Sequence, residues 1–226
     1  MPPFLELMLD SAWPLLRAGL LFTIPLAILS FALGLALGFL TAVARLFAPR
    51  PLAAVARFYV WFIRGTPLLV QLFVIFYGLP SAGILIDAFP AALIGFSLSV
   101  GAYTSEIIRA ALSSIPKGQW EASYAIGMTR GQALRRTVVP QAVRVAIPPL
   151  SNSFISLVKD TSLAAAITVP ELFQEAQRIV AVTYEPLILY IEAALLYLVF
   201  SSVLSALQSR LERRFSGFGA FAEARA

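Results

Sequence analysis

The sequence predicts an all-α membrane protein, a polytopic bundle of five transmembrane helices. Hydrophobic residues make up 59% of the 226 residues and charged residues only 13%, whereas a soluble domain carries about a quarter charged residues. The mean hydropathy is +0.84. The apolar runs are continuous, while the strands of a membrane barrel would alternate polar and apolar residues. Helices are therefore the elements expected to cross the bilayer.

Each predicted span is a stretch of about 20 mostly apolar residues, the length needed to cross the hydrocarbon core. The first run has no charge between Arg17 and Arg45 and is long enough to tilt. It contains Gly34 and Gly38 in a GxxxG pattern, which we interpret as close helix packing within the bundle. The predicted spans cover residues 15–44, 58–79, 89–108, 146–169 and 187–207. They are expected to form one membrane domain over residues 1–226.

The distribution of basic residues predicts the orientation. Fourteen of the 17 lysines and arginines lie after the first span, between the third and fourth spans, or in the C-terminal tail. The positive-inside rule makes these segments cytoplasmic, so the N-terminus is expected outside and the C-terminus inside. The start of the chain carries Glu6 and Asp10 but no basic residue before Arg17, and it therefore lacks the basic region of a cleaved signal peptide.

The composition excludes several functions. The chain has no cysteine and no histidine, which excludes disulfides, cysteine- or histidine-ligated metals and a Ser-His-Asp triad. It has no Gly-rich phosphate-binding loop of the Gly-Lys-Ser/Thr type. The net charge of +5 does not indicate a nucleic-acid partner, because the basic residues lie in short segments between apolar runs. We expect neither an enzyme nor a cofactor on this chain.

The most informative segment lies between the third and fourth spans, over residues 112–140. Residues 121–126 are predicted to form a short helix that ends at Gly127, a residue suited to the C′ position. Residues 131–138 are predicted to form a second helix that ends at Pro140. Such a pair would form a compact cytoplasmic knob. Its apolar residues have no lipid to contact, so the knob is expected to dock on another protein.

Part of this knob resembles the EAA loop of ABC-type importer permeases. The family pattern is Glu-Ala-Ala, three residues, Gly, nine residues, Ile, one residue and Leu-Pro. Glu121-Ala122-Ser123, Gly127 and Val139-Pro140 keep this spacing. Ser123 replaces the second Ala, Thr137 replaces Ile, and Val139 replaces Leu. Residues 64–71, 101–109 and 159–163 are similar to the polar amino acid branch of the family, the histidine, arginine and glutamine type.

The resemblance implies the membrane subunit of an ATP-driven importer in the bacterial inner membrane, surrounded by lipid. Its implied substrates are polar amino acids delivered by a periplasmic binding protein. Its implied partners are a dimer of ABC ATPases, which bind the ATP and Mg, and a second permease that is either another copy or a paralogue. The residues implied in coupling to the ATPase are Glu121, Ala122, Ser123, Gly127 and Pro140, and the Glu and the Gly of the loop matter for the contact.

Polar residues within the apolar runs are the candidates for the substrate pathway. These candidates are Thr66, Gln71, Ser97 or alternatively Ser99, Lys159, Asp160, Thr161 and Ser162. Charges at membrane depth are costly, so Lys159 and Asp160 should face the bundle interior or water. A structural Lys–Asp pair or snorkelling to the surface is the alternative. The break at residues 64–67 either borders the pathway or is a simple helix kink. Glu106 and Arg109 are expected to form a local ion pair.

An ATP-independent secondary transporter or channel for small polar solutes is the alternative function. Five spans show no inverted repeat, which disfavours such a transporter, and a cytoplasmic knob would then have no evident purpose. A bundle of five spans also leaves the walls of a pathway incomplete on one side. We therefore expect two permease chains to assemble, and we expect ATP hydrolysis to belong to a partner subunit.

Overall fold

The computed structural model describes the backbone of residues 3–216 and the side chains of residues 4–210. Over this range the fold contains α-helices joined by short π- and 3-10-helical segments, and no strand. The helices are α1 (Pro3–Ala18), α2 (Ile24–Phe47), α3 (Arg50–Gly65), α4 (Leu68–Phe73), α5 (Ala88–Ser113), α6 (Lys117–Ala125), α7 (Arg130–Ala133), α8 (Val139–Asp160), α9 (Leu172–Thr183) and α10 (Pro186–Ser216). The π segments are Gly19–Thr23, Val74–Gly78 and Leu134–Val138, and the 3-10 segments are Leu79–Ala82 and Thr161–Ile167. The all-α class is confirmed.

Within the described residues, three helical stretches are long and apolar enough to cross a membrane: Phe4–Phe47, Ala88–Ser113 and Pro186–Arg210. A fourth candidate consists of Arg50–Gly65 and Leu68–Ala82, which qualify only as a pair and meet at a bend of 105°. The stretch predicted as the fourth span is divided at Asp160, where α8 gives way to a 3-10 helix. The structure is thus a polytopic helical bundle with three or four candidate spans.

Close contact between α2 and α5 forms the centre of the bundle, and α2 packs most extensively against α5. A Cβ atom added to Gly34 would lie 2.5 Å from Val100, and one added to Gly38 would lie 2.0 Å from the Oγ1 of Thr104. The two backbones therefore approach each other at a distance that admits only glycine. This confirms the close packing predicted from the GxxxG pattern.

A buried apolar cluster joins α2 and α5 to the helices that surround them. Leu26, Leu72, Phe96 and Ile167 are fully buried in this cluster, together with Leu157 of α8. Ile167 ends the 3-10 segment Thr161–Ile167, and the other residues belong to α2, α4, α5 and α8. The cluster thus holds α4, α5 and α8 in fixed positions, and these helices form the walls of the cavity described below.

A second group of helices, α1, α9 and α10, is joined by buried polar residues. The Glu171 carboxylate accepts hydrogen bonds from the Thr23 hydroxyl at 3.3 Å, the Tyr197 hydroxyl and the Gln174 backbone N–H at 2.8 Å. Glu171 is fully buried. A buried carboxylate is stable only when hydrogen bonds replace its hydration, and here three elements of the fold supply them. Glu171 therefore connects the start of α9 to α10 and to the π segment after α1.

The knob over residues 112–140 contains helices with bounds that differ from the predicted ones. α6 begins at Lys117 rather than at residue 121, directly after Pro116. It ends as predicted, because Gly127 adopts a φ of +80°. The Gly127 N–H donates to the Tyr124 carbonyl at 2.9 Å and the Met128 N–H donates to the Ser123 carbonyl at 3.1 Å. These two bonds form a Schellman motif, whose C′ residue favours glycine.

The prediction that Pro140 ends the second helix of the knob is wrong. The π segment Leu134–Val138 continues directly into α8, and Pro140 lies in the first turn of α8. Because Pro140 has no N–H, it cannot make a helical hydrogen bond to the preceding turn. The bonding just before it is of the π type, where the Val139 N–H donates to the Leu134 carbonyl five residues back. The chain is helical from α7 through the π segment to Asp160.

Candidate functional site: a polar cavity and an exposed short helix

A cavity of about 550 Å³ lies between the α3–α4 pair, α5 and α8. Its volume is in the range of small-molecule sites. The polar residues that line it are Arg64, Thr66, Gln71, Ser99, Tyr103, Glu106, Asn152, Ser153, Ser156 and Asp160. Such a lining favours a solute that carries both charges and hydrogen-bonding groups.

One face of α8 forms a wall of this cavity. The α8 residues that line the cavity include Pro149, Asn152, Ser153, Ser156 and Asp160. Their helical spacing places them on a single side of α8. At about 1.5 Å per residue, this wall is roughly 16 Å long from Pro149 to Asp160. The wall thus presents an amide, two hydroxyls and a carboxylate along one line.

Arginines surround Glu106 in the cavity wall. Its Oε2 accepts hydrogen bonds from the Arg109 Nη2 at 2.8 Å and Nε at 3.0 Å. Its Oε1 accepts a bond from Arg45 of α2 and lies 3.9 Å from the Nη1 of Arg64. The predicted Glu106–Arg109 pair is therefore confirmed, and it belongs to a larger network. The Arg64 guanidinium also lies 5.3 Å from the centre of the Tyr103 ring, and it is the arginine bound least closely to Glu106.

Asp160 lines the cavity at the last residue of α8. Among the described residues its carboxylate has no hydrogen bond or ion pair, apart from the Coulombic influence of the adjacent Lys159. The position also lies at the negative end of the α8 dipole, which adds no stabilisation to an anion. This carboxylate is therefore available to a cationic group that enters the cavity.

The break between α3 and α4 borders the cavity and is stabilised by Gln71. The Gln71 Nε2 donates to the Ile63 carbonyl at 2.8 Å, to the Thr66 carbonyl at 3.2 Å and to the Thr66 hydroxyl at 2.9 Å. It thereby binds carbonyls that no backbone N–H reaches at the end of α3. With a bend of 105°, the break is a turn between two helices rather than a simple kink.

The other predicted pathway residues lie outside the cavity lining. Ser97 is buried where α5 faces α2, and its hydroxyl has no partner among the described residues. Thr161 donates to the Val158 carbonyl at 2.7 Å, and Ser162 donates to the Lys159 carbonyl at 2.8 Å. Lys159 is exposed on another side of α8. Of the predicted set, the structure brings Thr66, Gln71 and Asp160 together around the cavity.

Sequence reasoning missed four cavity residues, which are Tyr103 of α5 and Asn152, Ser153 and Ser156 of α8. The signal for the three α8 residues was present, because their spacing continues to Asp160 with helical periodicity. Ser99 was named as the alternative to Ser97, and Ser99 is the one that lines the cavity. Tyr103 follows Ser99 by four residues, so helical spacing could also have found it.

The exposed face of the knob is formed by the end of α6. The docking surface, as we name it, consists of Glu121, Ala122, Tyr124, Ala125, Ile126 and Gly127, all of which are exposed. Ile126 is 73% exposed, so no side chain among the described residues covers this large apolar residue. Ser123 differs from its neighbours, because it is 3% exposed and faces the interior of the knob. Pro140 is exposed at the start of α8.

Comparisons with known proteins agree with this geometry. A family model described as "Binding-protein-dependent transport system inner membrane component" matches residues 34–217. The L-cystine transport system permease protein TcyB of Bacillus subtilis is 55% identical over 214 residues, which cover 94% of this chain and 92% of that protein. The glutamine transport system permease protein GlnP of Escherichia coli is 40% identical over 205 residues, 90% of this chain and 94% of that protein.

Solved structures show the same architecture. A crystal structure of an amino acid ABC transporter with histidines contains a chain that is 34% identical and superposes with a TM-score of 0.90, covering 95% of this chain and 99% of that one. A chain of the MetNI methionine ABC transporter in an inward-facing conformation superposes with a TM-score of 0.67 at 22% identity, over 95% of this chain and 99% of that one. The latter likeness establishes the fold alone.

Proposed function

This chain belongs to the family of binding-protein-dependent transport system inner membrane components, and on that premise we propose that it forms the transmembrane path of an ATP-driven importer for polar amino acids. Members of this family are the membrane permeases of ABC importers and are not themselves catalytic. The polar cavity between α3–α4, α5 and α8 is the observation that carries the proposal. ATP and Mg are bound by the partner ATPase.

The charges of the cavity support a zwitterionic amino acid as the solute. Arg64, bound only loosely to Glu106 at 3.9 Å, can bind a carboxylate. Asp160, without an ion-pair partner among the described residues apart from the influence of Lys159, can bind an ammonium group. The hydroxyl and amide groups between them suit a polar side chain. The relatives TcyB and GlnP are named for the transport of cystine and of glutamine, and both solutes are polar amino acids.

The proposed arrangement in the bacterial inner membrane is one permease domain with five spans, an outside N-terminus and a cytoplasmic C-terminus. The bent α3–α4 pair supplies the second span and α8 with its 3-10 extension the fourth. This assignment places α6 and α7, which are too polar and too short to cross the bilayer, on the basic side of the membrane. The knob then faces the compartment that contains ATP.

The docking surface is proposed to bind one subunit of an ABC ATPase dimer. Glu121, Ala122 and Gly127 supply exposed contacts there, and Pro140 lies at the start of the helix behind them. Ser123 contributes from inside the knob. A second permease, either another copy or a paralogue, completes the walls of the path, and an extracytoplasmic binding protein delivers the solute.

Reconstitution in proteoliposomes tests this function. The purified chain alone should hydrolyse no ATP, and it should take up amino acid only when it is combined with its ATPase, ATP and the solute-loaded binding protein. A preparation in which each component is omitted in turn provides the control. Uptake by the chain alone, driven by an ion gradient, would support the secondary-transporter alternative instead.

Asp160→Asn is expected to reduce ATP-driven uptake of the amino acid roughly 10- to 100-fold, since a hydrogen bond to a charged group contributes about 1.5–3 kcal/mol. The amide of asparagine has the same size as the carboxylate but lacks the negative charge that attracts an ammonium group. Uptake of radiolabelled solute at several concentrations measures the effect. Lys159→Arg is the matched control, because Lys159 is adjacent, does not line the cavity, and this change keeps the positive charge beside Asp160. Equal uptake by the wild type and Asp160→Asn would remove Asp160 from the pathway.

A further inference from the structure

Two side-chain hydrogen bonds join α6 to the helix that leads into α8. The Ser123 and Thr137 hydroxyl oxygens lie 3.0 Å apart, and the Gln141 Nε2 donates to the Gln119 Oε1 at 3.0 Å. Gln119 and Ser123 are four residues apart on α6, and Thr137 and Gln141 are four residues apart on the facing helix, so each pair occupies one helix face. We name these four residues the polar seam.

The polar seam is supported by contacts inside each helix. The Ser123 hydroxyl lies 2.8 Å from the Gln119 carbonyl, and the Gln141 Nε2 donates to the Thr137 carbonyl at 2.9 Å. Ser123 itself is buried. Every interhelical bond of the seam thus involves a group that a second hydrogen bond holds in place, and buried networks of this kind restrict the relative position of two helices.

Both hydroxyls of the seam stand where the EAA pattern has an apolar residue. Ser123 occupies the position of an Ala, and Thr137 the position of an Ile. The structure brings these two departures into contact with each other, so that each hydroxyl provides the partner of the other. A hydroxyl at only one of the two positions would lose this interhelical bond and keep only its contact inside the knob, from Ser123 to the Gln119 carbonyl or from Thr137 to the Met128 sulfur.

The seam leads to the cavity through continuous helix. Thr137 belongs to the π segment that continues into α8, and Gln141 lies in the first two turns of α8. The same helix presents Asn152, Ser156 and Asp160 to the cavity. An apolar cluster under the seam, which includes Ala111 and Ile115 beside Val138 and Ala142, keeps this helix against α5. A displacement of α6 therefore reaches the cavity wall without crossing a loop.

We propose that the polar seam makes α6 and α8 a single rigid body, with Ser123 and Thr137 as positioning residues that transmit the movement of a docked ATPase to the cavity wall. This proposal rests on the proposed function. Hydrogen bonds suit this role because they are directional: two apolar faces can slide along each other, whereas the seam fixes the register of the two helices. The docking surface and the cavity wall then move together.

A reversible cross-link tests the rigid body directly. The chain contains no cysteine, so Ser123→Cys combined with Thr137→Cys introduces the sole pair of thiols. Side-chain oxygens 3.0 Å apart are compatible with the short Cβ separation of a disulfide, about 3.5–4.5 Å. We expect the oxidised complex, reconstituted with the ATPase and the binding protein, to transport at least as much amino acid per ATP as the reduced complex, because the disulfide replaces a hydrogen bond that thiols make only weakly. Loss of uptake on oxidation, restored by reduction, would overturn the proposal.

Single substitutions provide the second arm of the test. Ser123→Ala and Thr137→Val should each lower the amount of amino acid transported per ATP hydrolysed by roughly 2- to 10-fold, the equivalent of one hydrogen bond. Ser123→Ala combined with Thr137→Ile should lower the ratio as well, because an apolar pair does not fix the register of the two helices; a wild-type ratio in this double variant would overturn the role of the hydrogen bond. Gln132→Ala is the matched control: it removes the side-chain oxygen that accepts the Thr129 N–H, a bond that lies in the same knob but does not join it to α6.

The outcomes separate the two proposals. Variants that lose thermal stability but keep the transport-to-ATP ratio would show that the seam is merely structural and would overturn its positioning role. If oxidation abolishes uptake by the double-cysteine variant while the wild-type complex transports normally, the rigid-body role of the seam is refuted and the importer function remains supported. Absence of ATP-dependent uptake by the wild-type complex would refute both.

Discussion

Glu121→Lys is expected to abolish ATP-driven uptake while the permease remains folded. Glu121 is exposed on the docking surface, and within the described residues its carboxylate makes no hydrogen bond or ion pair that the fold would lose. Reversal of its charge places a like charge against any cationic partner. Loss of a buried charge pair at an interface costs about 2–5 kcal/mol, which corresponds to a fall of at least roughly 30-fold in the affinity of the ATPase.

Affinity of the ATPase for the detergent-solubilised permease measures this effect, and uptake in proteoliposomes measures its consequence. Glu185→Lys is the matched control, because Glu185 is also exposed and lies before α10, far along the chain from the knob. We expect this control to bind the ATPase with wild-type affinity. Full uptake by Glu121→Lys would exclude Glu121 from the docking contact.

Gly38→Val is expected to produce the largest loss of stability among substitutions in the bundle. A Cβ atom at Gly38 would lie 2.0 Å from the Thr104 Oγ1, 2.9 Å from the Gly101 carbonyl oxygen and 3.1 Å from the Ser105 nitrogen. Two of these atoms belong to the backbone and cannot rotate away, so α2 and α5 must separate. Overpacking of this kind costs about 1–3 kcal/mol, and occasionally more.

Thermal unfolding of the purified protein in detergent, followed by size-exclusion chromatography, measures this loss. Gly78→Ala is the control, because the nearest atom to an added Cβ there is 3.8 Å away, an ordinary contact distance. The control should unfold at the wild-type temperature. Equal midpoints for Gly38→Val and the wild type would mean that α2 and α5 are not in close contact in the membrane.

Local patterns in the sequence were sufficient for the fold class and for two of its details. The length of the apolar runs predicted helices, and the spacing of Gly34 and Gly38 predicted their close packing. Gly127 predicted the end of α6, because a left-handed residue at C′ favours glycine. Gly65 and Pro67 indicated a break at residues 64–67. They did not indicate its angle of 105°, nor that the Gln71 side chain would donate to carbonyls at the end of the preceding helix.

Contacts between distant parts of the chain were the main features that sequence reasoning missed. Glu106 and Arg45 are 61 positions apart, so no periodicity relates them. The choice between Ser97 and Ser99 could not be made from the sequence, because α5 carries polar residues on more than one face and only the positions of the neighbouring helices show which face lines the cavity. Asp160 was recognisable, since a charge within an apolar run requires an explanation. Its exposure to a cavity required the positions of α3, α4 and α5.

The sharp turn between α3 and α4 also bears on how the ribosome delivers this polypeptide to the bilayer. Neither half reaches the about 20 residues that a crossing requires, and the two halves qualify only together. α3 furthermore carries Arg50, Arg57 and Arg64, which oppose its release into lipid by itself. With the bent pair assigned as the proposed second span, we expect the insertion machinery to retain this segment until synthesis has passed Ala82, so that the two halves enter the membrane together.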